Sequence, residues 1–177
     1  MSPPSAKLSV FVSGQVACIK IAGRANFTSS IDFKTLVAEL MDRGFNCFVL
    51  DLSECLLMDS TFLGVLAGFG LKLSGAQNGN PLAPGIQLLN PNERVADLLE
   101  NLGVAHLFKT VSAVADLPRE LVMTETVATA TPSSEEVKQN CLDAHKTLMA
   151  ISPANVAKFK DVAQFLTEDL KKARSVS

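Results

Sequence analysis

The chain has 177 residues, 47% of them apolar and 19% charged, with sixteen Lys and Arg against eighteen Asp and Glu and a formal net charge of −2. That balance excludes disorder over most of the length, and a chain of this size buries roughly 70% of its unfolded surface, enough for a core without disulfides or metals. Slight acidity without a dense basic run argues against nucleic-acid binding.

Leu8, Val10 and Val12 alternate with Ser9, Phe11 and Ser13, and Gly14-Gln15 separates them from a second run, Val16 to Ile21. This pattern predicts two strands joined by a two-residue turn. Phe33, Leu36, Val37, Leu40 and Met41 then recur at helical spacing, with Ser29 or Ser30 as the expected cap and Gly44 as the stop. The continuous run Cys47 to Leu52 predicts an inner strand covered on both faces, and helices on either side of it imply parallel crossovers. Ser60 to Leu73 is apolar on nearly every side, with Gly64, Ala67, Gly68 and Gly70 between the large residues. A helix of that kind is buried, and its small residues permit close approach by a neighbour.

Ser74 to Gly85 reads as a loop, Ile86 to Leu89 as a strand, and Asn90-Pro91-Asn92-Glu93 as a cap, a first-position Pro and an acid opening a helix that stops at Gly103. Phe108 to Val111 is a candidate last strand and Val114 to Leu121 a short helix. Residues 123–134 read as a linker. Beyond it, Glu135 to Ile151 presents Val137, Cys141, Leu142 and Leu148 inward, and Asn155 to Arg174 presents Val156, Phe159, Val162, Phe165, Leu166 and Leu170. Ser152 and Pro153 are expected as cap and first position of the second of these helices. Seven basic and six acidic residues balance the pair, as in an amphipathic hairpin laid on an apolar surface. The expected domain plan is therefore 1–122, a linker over 123–134, and a helical pair over 135–177.

A mean hydropathy of +0.25 raises the question of a membrane segment. The longest apolar stretch, Phe62 to Leu71, falls well short of the about 20 residues that cross a ~30 Å hydrocarbon core. The opening Met-Ser-Pro-Pro-Ser-Ala-Lys lacks the pattern of a secretory signal, so a cytoplasmic location is expected. Cys18, Cys47, Cys55 and Cys141 form no CxxC pair, and His106 and His145 stand alone, so no metal site and no cofactor is expected and both histidines read as structural. None of the common nucleophile, zinc or phosphate-loop motifs occurs.

The order strand, strand, helix, strand, helix, strand, helix, strand, together with Leu50-Asp51-Leu52-Ser53 and Met58-Asp59-Ser60-Thr61-Phe62-Leu63-Gly64-Val65-Leu66, resembles the STAS domain of bacterial anti-sigma factor antagonists. Gly23-Arg24-Ala25-Asn26-Phe27 looks like that family's Gly-x-x-Asp segment, and Val95 through Phe108 like its third helix and following strand. The resemblance covers about residues 7–121. It implies an α/β fold with a mixed sheet of four to five strands, here followed by a C-terminal helical pair. It also implies a cytoplasmic signalling module of transcription regulation, without catalytic residues, whose partner is an anti-sigma factor with serine kinase activity. Ser60 matches the family's phosphorylated serine, Thr61 is the alternative acceptor, and Asn26, Asp59, Ser60, Thr61 and Phe62 make up the implied partner surface.

Two positions depart from the family pattern: Phe62 stands where Gly is usual, and Asn26 replaces an acid. Read from residue types alone, Asp59 or Ser60 is equally a helix N-cap. Physically, the first turn of a helix suits a phosphate because its N–H groups are unpaired and carry partial positive charge. A phosphate adds about −1.5 to −2 charges and so repels an acidic or apolar partner. Two other readings stand beside this one. In the first, a non-phosphorylated STAS scaffold in a signalling or transport assembly docks through its C-terminal helices, with a homo-oligomer left open; in the second, Asp51, Glu54 and Asp59 converge as enzyme carboxylates at a strand end.

Overall fold

The computed structural model describes residues 6–74, 85–112, 122–126 and 132–175. Gly14 and Gln15 close the hairpin between β1 (Lys7–Ser13) and β2 (Val16–Ala25), with Ser13 opposite Val16, as the alternation predicts. From β2 the chain runs through α1 (Phe27–Asp42), β3 (Cys47–Asp51), β4 (Cys55–Met58), α2 (Ser60–Ser74), β5 (Gly85–Leu89) and α3 (Glu93–Asn101). A single 3₁₀ turn (Ala105–Leu107), β6 (Lys109–Val111), β7 (Val122–Thr126), α4 (Ser134–Ile151) and α5 (Ala154–Ser175) complete it.

The sheet order is β6-β5-β3-β2-β1-β7, with β4 paired to β2 off this path. β2, β3, β5 and β6 are parallel, as the crossovers require, whereas β1 is antiparallel to both of its neighbours. Seven strands exceed the expected four to five, and β4 and β7 make the difference. β7 occupies the start of the stretch expected as a linker and pairs with β1. β4 exists because β2 is long enough for two parallel partners. β2 pairs with β3 through Lys20, and after an irregularity at Gly23, whose φ is +102°, it pairs with β4 up to Ala25 and Met58. The expected loop over 75–84 and helix over 114–121 lie outside the described residues.

Alternation along the strands divides the core. Ala17, Ile19, Ile21, Phe48, Leu50 and Leu88 face the main cluster, which also holds Phe33 and Val37 of α1 and Phe62, Leu63 and Leu66 of α2. Cys18, Val49 and Leu89 form a small cluster on the opposite face, so β3 is apolar on both sides as its continuous run implies. Burial there pushes the Cys18 thiol up to about 11.

Three helix starts differ from the sequence expectation. α1 is capped by Asn26, not by Ser29 or Ser30. The Asn26 side chain accepts from the Thr28 and Ser29 amides, and the Ser29 hydroxyl returns the contact to the Asn26 amide, closing a capping box. The helix ends as expected at Gly44, whose φ of +97° is left-handed. α3 is capped by Asn92 rather than Asn90, which leaves Pro91 ahead of the cap. α5 starts at Ala154, just beyond Pro153, and its buried stripe is Asn155, Ala163, Leu166 and Leu170. Val156, Val162 and Phe165, expected inward, are exposed, because α5 packs against α4 over a narrower strip than its apolar pattern covers.

Asn92 ties this frame together: its Oδ1 accepts from the Val95 amide while its Nδ2 donates to the Cys55 and Leu56 carbonyls, holding α3 on β4. Asn92→Ala is expected to lower the unfolding free energy by about 1–3 kcal/mol in urea titration, through lost capping and orphaned carbonyls. Asn92→Asp should recover only the capping part.

Candidate functional site

β2 and β4 end at the same level, Ala25 beside Met58, and the Asp59 amide donates to the Ala25 carbonyl at 2.9 Å. The residues that follow the two strands, Asn26 and Asp59, therefore stand side by side at the starts of α1 and α2. Asp59 serves both helices. Its Oδ1 accepts from the Phe62 amide at 2.8 Å, which caps α2, and its Oδ2 accepts from the Phe27 amide at 2.7 Å at the start of α1. Burial raises the Asp59 carboxyl pKa above its usual range, against the pull of these two N–H donors and of His145.

Ser60 opens the first turn of α2 and is half-buried, while Thr61 next to it is buried. Phe62, implied as a partner contact, is fully buried instead; its ring lies 4.9 Å from that of Phe33, between the two helices. Of the five residues implied for the partner surface, Asn26, Asp59 and Ser60 keep partial exposure or lie at the helix mouths, whereas Thr61 and Phe62 belong to the interior.

The sequence reading missed the residues that α4 brings to this place. Its Asn140, Cys141, Ala144 and His145 lie on one face and meet the helix mouths directly. Ser60 Oγ is 2.9 Å from His145 Nε2, Thr61 Oγ1 is 3.3 Å from Cys141 Sγ, and Asn140 Nδ2 donates to Ser30 Oγ at 2.9 Å. His145 Nδ1 lies 2.7 Å from the Cys141 carbonyl and 3.6 Å from its sulfur, so the carbonyl takes the Nδ1 proton. That leaves Nε2 to accept from the Ser60 hydroxyl when the imidazole is neutral, or to donate to Ser60 Oγ when it is charged. The signal available in sequence was the spacing of Cys141, His145 and Leu148, which places all three on one helical face; their target lies some eighty residues away and leaves no local trace.

Gly64 permits this approach. A Cβ there would overlap the Ala144 carbonyl and stand 2.7 Å from the Ala144 Cβ, so only glycine lets α2 and α4 cross this closely.

Each carboxylate considered for an enzyme set has a partner of its own. Asp51 accepts from the Ser53 amide, Glu54 pairs with Lys20, and Asp59 holds the helices. Among the described residues, no group of three His, Cys, Asp or Glu side chains could hold a metal ion. No helix among them is long and apolar enough to cross a membrane.

A mixed sheet built on an antiparallel hairpin, with two helices starting side by side at one carboxylate, is the architecture of an α/β domain of the STAS type. The family model for the STAS domain matches residues 7–117, and the chain belongs to that family. Solved structures agree on the fold. A candidate anti-sigma factor antagonist of Thermotoga maritima, TM1081, superposes with a TM-score of 0.52 at 22% identity, over 60% of this chain and 87% of that one. The anti-sigma factor antagonist SpoIIAA in its unphosphorylated form gives 0.50 at 15% identity, over 59% and 88%. No curated protein matches in sequence.

Two outcomes test the site. Asp59→Ala leaves amides of both helix mouths without their acceptor, and is expected to lower the unfolding free energy by about 2–3 kcal/mol. The second concerns pH. Burial pulls the His145 imidazole down, but the Cys141 thiol, the Cys141 carbonyl and the Asp59 carboxylate outweigh it, so its pKa lies above the usual 6.5. A raised pKa stabilises the fold fully below pH 6.5, and that stabilisation is lost as pH rises through the folded value. The Cys141 thiol is lowered, chiefly by its hydrogen bond with His145, and has the opposite sign: its contribution is present above 9.0 and lost as pH falls through the folded value. In the wild-type chain the His145 contribution should therefore fall as pH rises between about 6 and 8, the range in which histidine titrates, and His145→Gln should remove that part of the pH dependence in urea titration.

Proposed function

We propose that this chain is an anti-sigma factor antagonist, that it binds an anti-sigma factor with serine kinase activity through the paired mouths of α1 and α2, and that phosphorylation of Ser60 ends the binding. The observation that carries this reading is the position of Ser60, half-exposed in the first turn of α2 beside the shared Asp59 carboxylate. Of the two neighbouring hydroxyls, both bonded to α4, Thr61 is buried whereas Ser60 keeps partial exposure, which favours Ser60 as the acceptor. The two helix ends carry about half a positive charge each, and Asp59 already balances them. A phosphate on Ser60 therefore adds nearly its whole charge to a neutralised face, and each 1.4 kcal/mol of repulsion lowers partner affinity about tenfold. The setting of this activity is cytoplasmic.

A second reading, a non-phosphorylated scaffold that docks through its C-terminal helices, is favoured by the outward apolar Val162 and Phe165 of α5, the latter 66% exposed.

Intact mass after incubation with ATP and the cognate kinase separates them. Wild type and Thr61→Ala should gain one phosphate and Ser60→Ala none, and Ser60→Asp should lose the kinase in pull-down. Absence of phosphate in wild type, with assembly abolished by Phe165→Asp, would establish the scaffold instead.

A further inference from the structure

The α4 face that meets the helix mouths adds polar contacts to the core packing of Ala144 and Leu148. Three hydroxyls, Ser30, Ser60 and Thr61, are each bonded to an α4 side chain, and the closest backbone approach is Gly64 against Ala144. Asn140 and Asn155, both buried, keep Oδ1 atoms without a hydrogen-bond partner. Water would satisfy those atoms if the helices separated, which favours the separated state. The α4–α5 pair also holds a cluster of its own, Leu142, Ala163, Leu166 and Leu170, to which no strand contributes, so the pair has a means of staying together when it leaves the sheet-bearing part. Apolar contacts through Leu148 and Phe159 hold it in place when docked.

Docking and modification compete for the same atom. Ser60 Oγ lies in direct hydrogen-bond contact with His145, leaving no space between them for a phosphoryl group. The groups facing His145 are Asp59, Ser60, Cys141 and the Phe159 ring, 4.8 Å away. The Asp59 carboxyl group lies next to Ser60 and accepts both helix-mouth amides, so a negative charge at Ser60 would stand beside an acidic side chain.

We propose that the α4–α5 pair is a reversible cover over Ser60, and that its docking and a negative charge at Ser60 exclude each other. Docked, α4 occupies the face assigned above to the partner and shields the hydroxyl; undocked, it exposes both, and phosphate on Ser60 holds it off. The inference rests on the functional reading for its purpose, but the cover itself is testable without any partner.

The readout is alkylation of Cys141 by N-ethylmaleimide in the full chain, mapped by peptide mass. Gly64→Ala inserts a methyl between α2 and α4 while favouring helix in α2, and Ser60→Glu places a negative charge at the covered position. Both should speed Cys141 alkylation by about tenfold or more, whereas Cys18 and Cys55, buried in the sheet, stay protected and so separate undocking from unfolding. Should Gly64→Ala expose Cys18, Ala144→Leu makes the same wedge from α4. Alkylation at the wild-type rate in either the wedge variant or Ser60→Glu overturns the proposal. Fast alkylation in Gly64→Ala with no phosphate on Ser60 under ATP and the cognate kinase leaves the cover standing and overturns the functional reading instead.

Discussion

One carboxylate sets the geometry on which the rest depends. Asp59 takes an amide from α2 and an amide from α1, so two helices that belong to different crossovers begin at a shared point. The sheet makes this sharing possible, because β4 adds to the far end of β2 only after β3 has dropped away. Two helix ends of about half a positive charge each face a single negative charge. The capping residue of α1 is accordingly a neutral amide. An aspartate in place of Asn26 would bring a second carboxylate to helix mouths whose partial charges Asp59 already offsets.

The same clamp explains a residue that looked out of place by family pattern. With α1 and α2 held together at their starts, the gap between their bodies must be filled. Phe62 fills it, its ring tilted by 35° against that of Phe33, which also meets Phe69 edge-on at 6.2 Å. The bulk at this position serves packing between two helices. It lies buried beneath the face that Ser60 and Asp59 present.

Elements with a strong period were legible without coordinates: the hairpin, the inner strand with both faces apolar, and the nearly all-apolar helix read over Ser60 to Leu73. Their patterns come from burial, which writes itself into spacing. β4 and β7 were not legible. A four-residue strand has too few positions to show a period, and β7 owes its existence to an open edge on β1, which is a tertiary fact. Of the site, Asp59 and Ser60 were readable because capping and the first turn are local matters. His145, Cys141 and Asn140 were not, since polar residues inside a helix acquire meaning only from what the helix lies against. The inward stripe of α5 failed for a related reason: Val156, Val162 and Phe165 are as apolar as the residues that are buried, and composition does not say how wide a strip the neighbouring helix covers.

The features that make the α1/α2 mouths receptive are the ones α4 already uses. Unpaired hydroxyls at a helix start invite hydrogen-bonding partners, and α4 supplies an imidazole, a thiol and an amide. A glycine at the crossing point invites a second helix to come close, and Ala144 does so. An apolar patch sealing those mouths would have left the hydroxyls unsatisfied and bound more permanently, because buried hydroxyls without partners destabilise the docked state alone. Polar partners satisfy most of the face and leave Asn140 Oδ1 and Asn155 Oδ1 unmet, so the docked arrangement gains less than a fully apolar contact of the same size. Attachment through the chain compensates, since a tethered segment rebinds as an intramolecular event at high effective concentration. The contact over the Ser60 hydroxyl therefore combines core packing through Ala144 and Leu148 with polar partners and a tether.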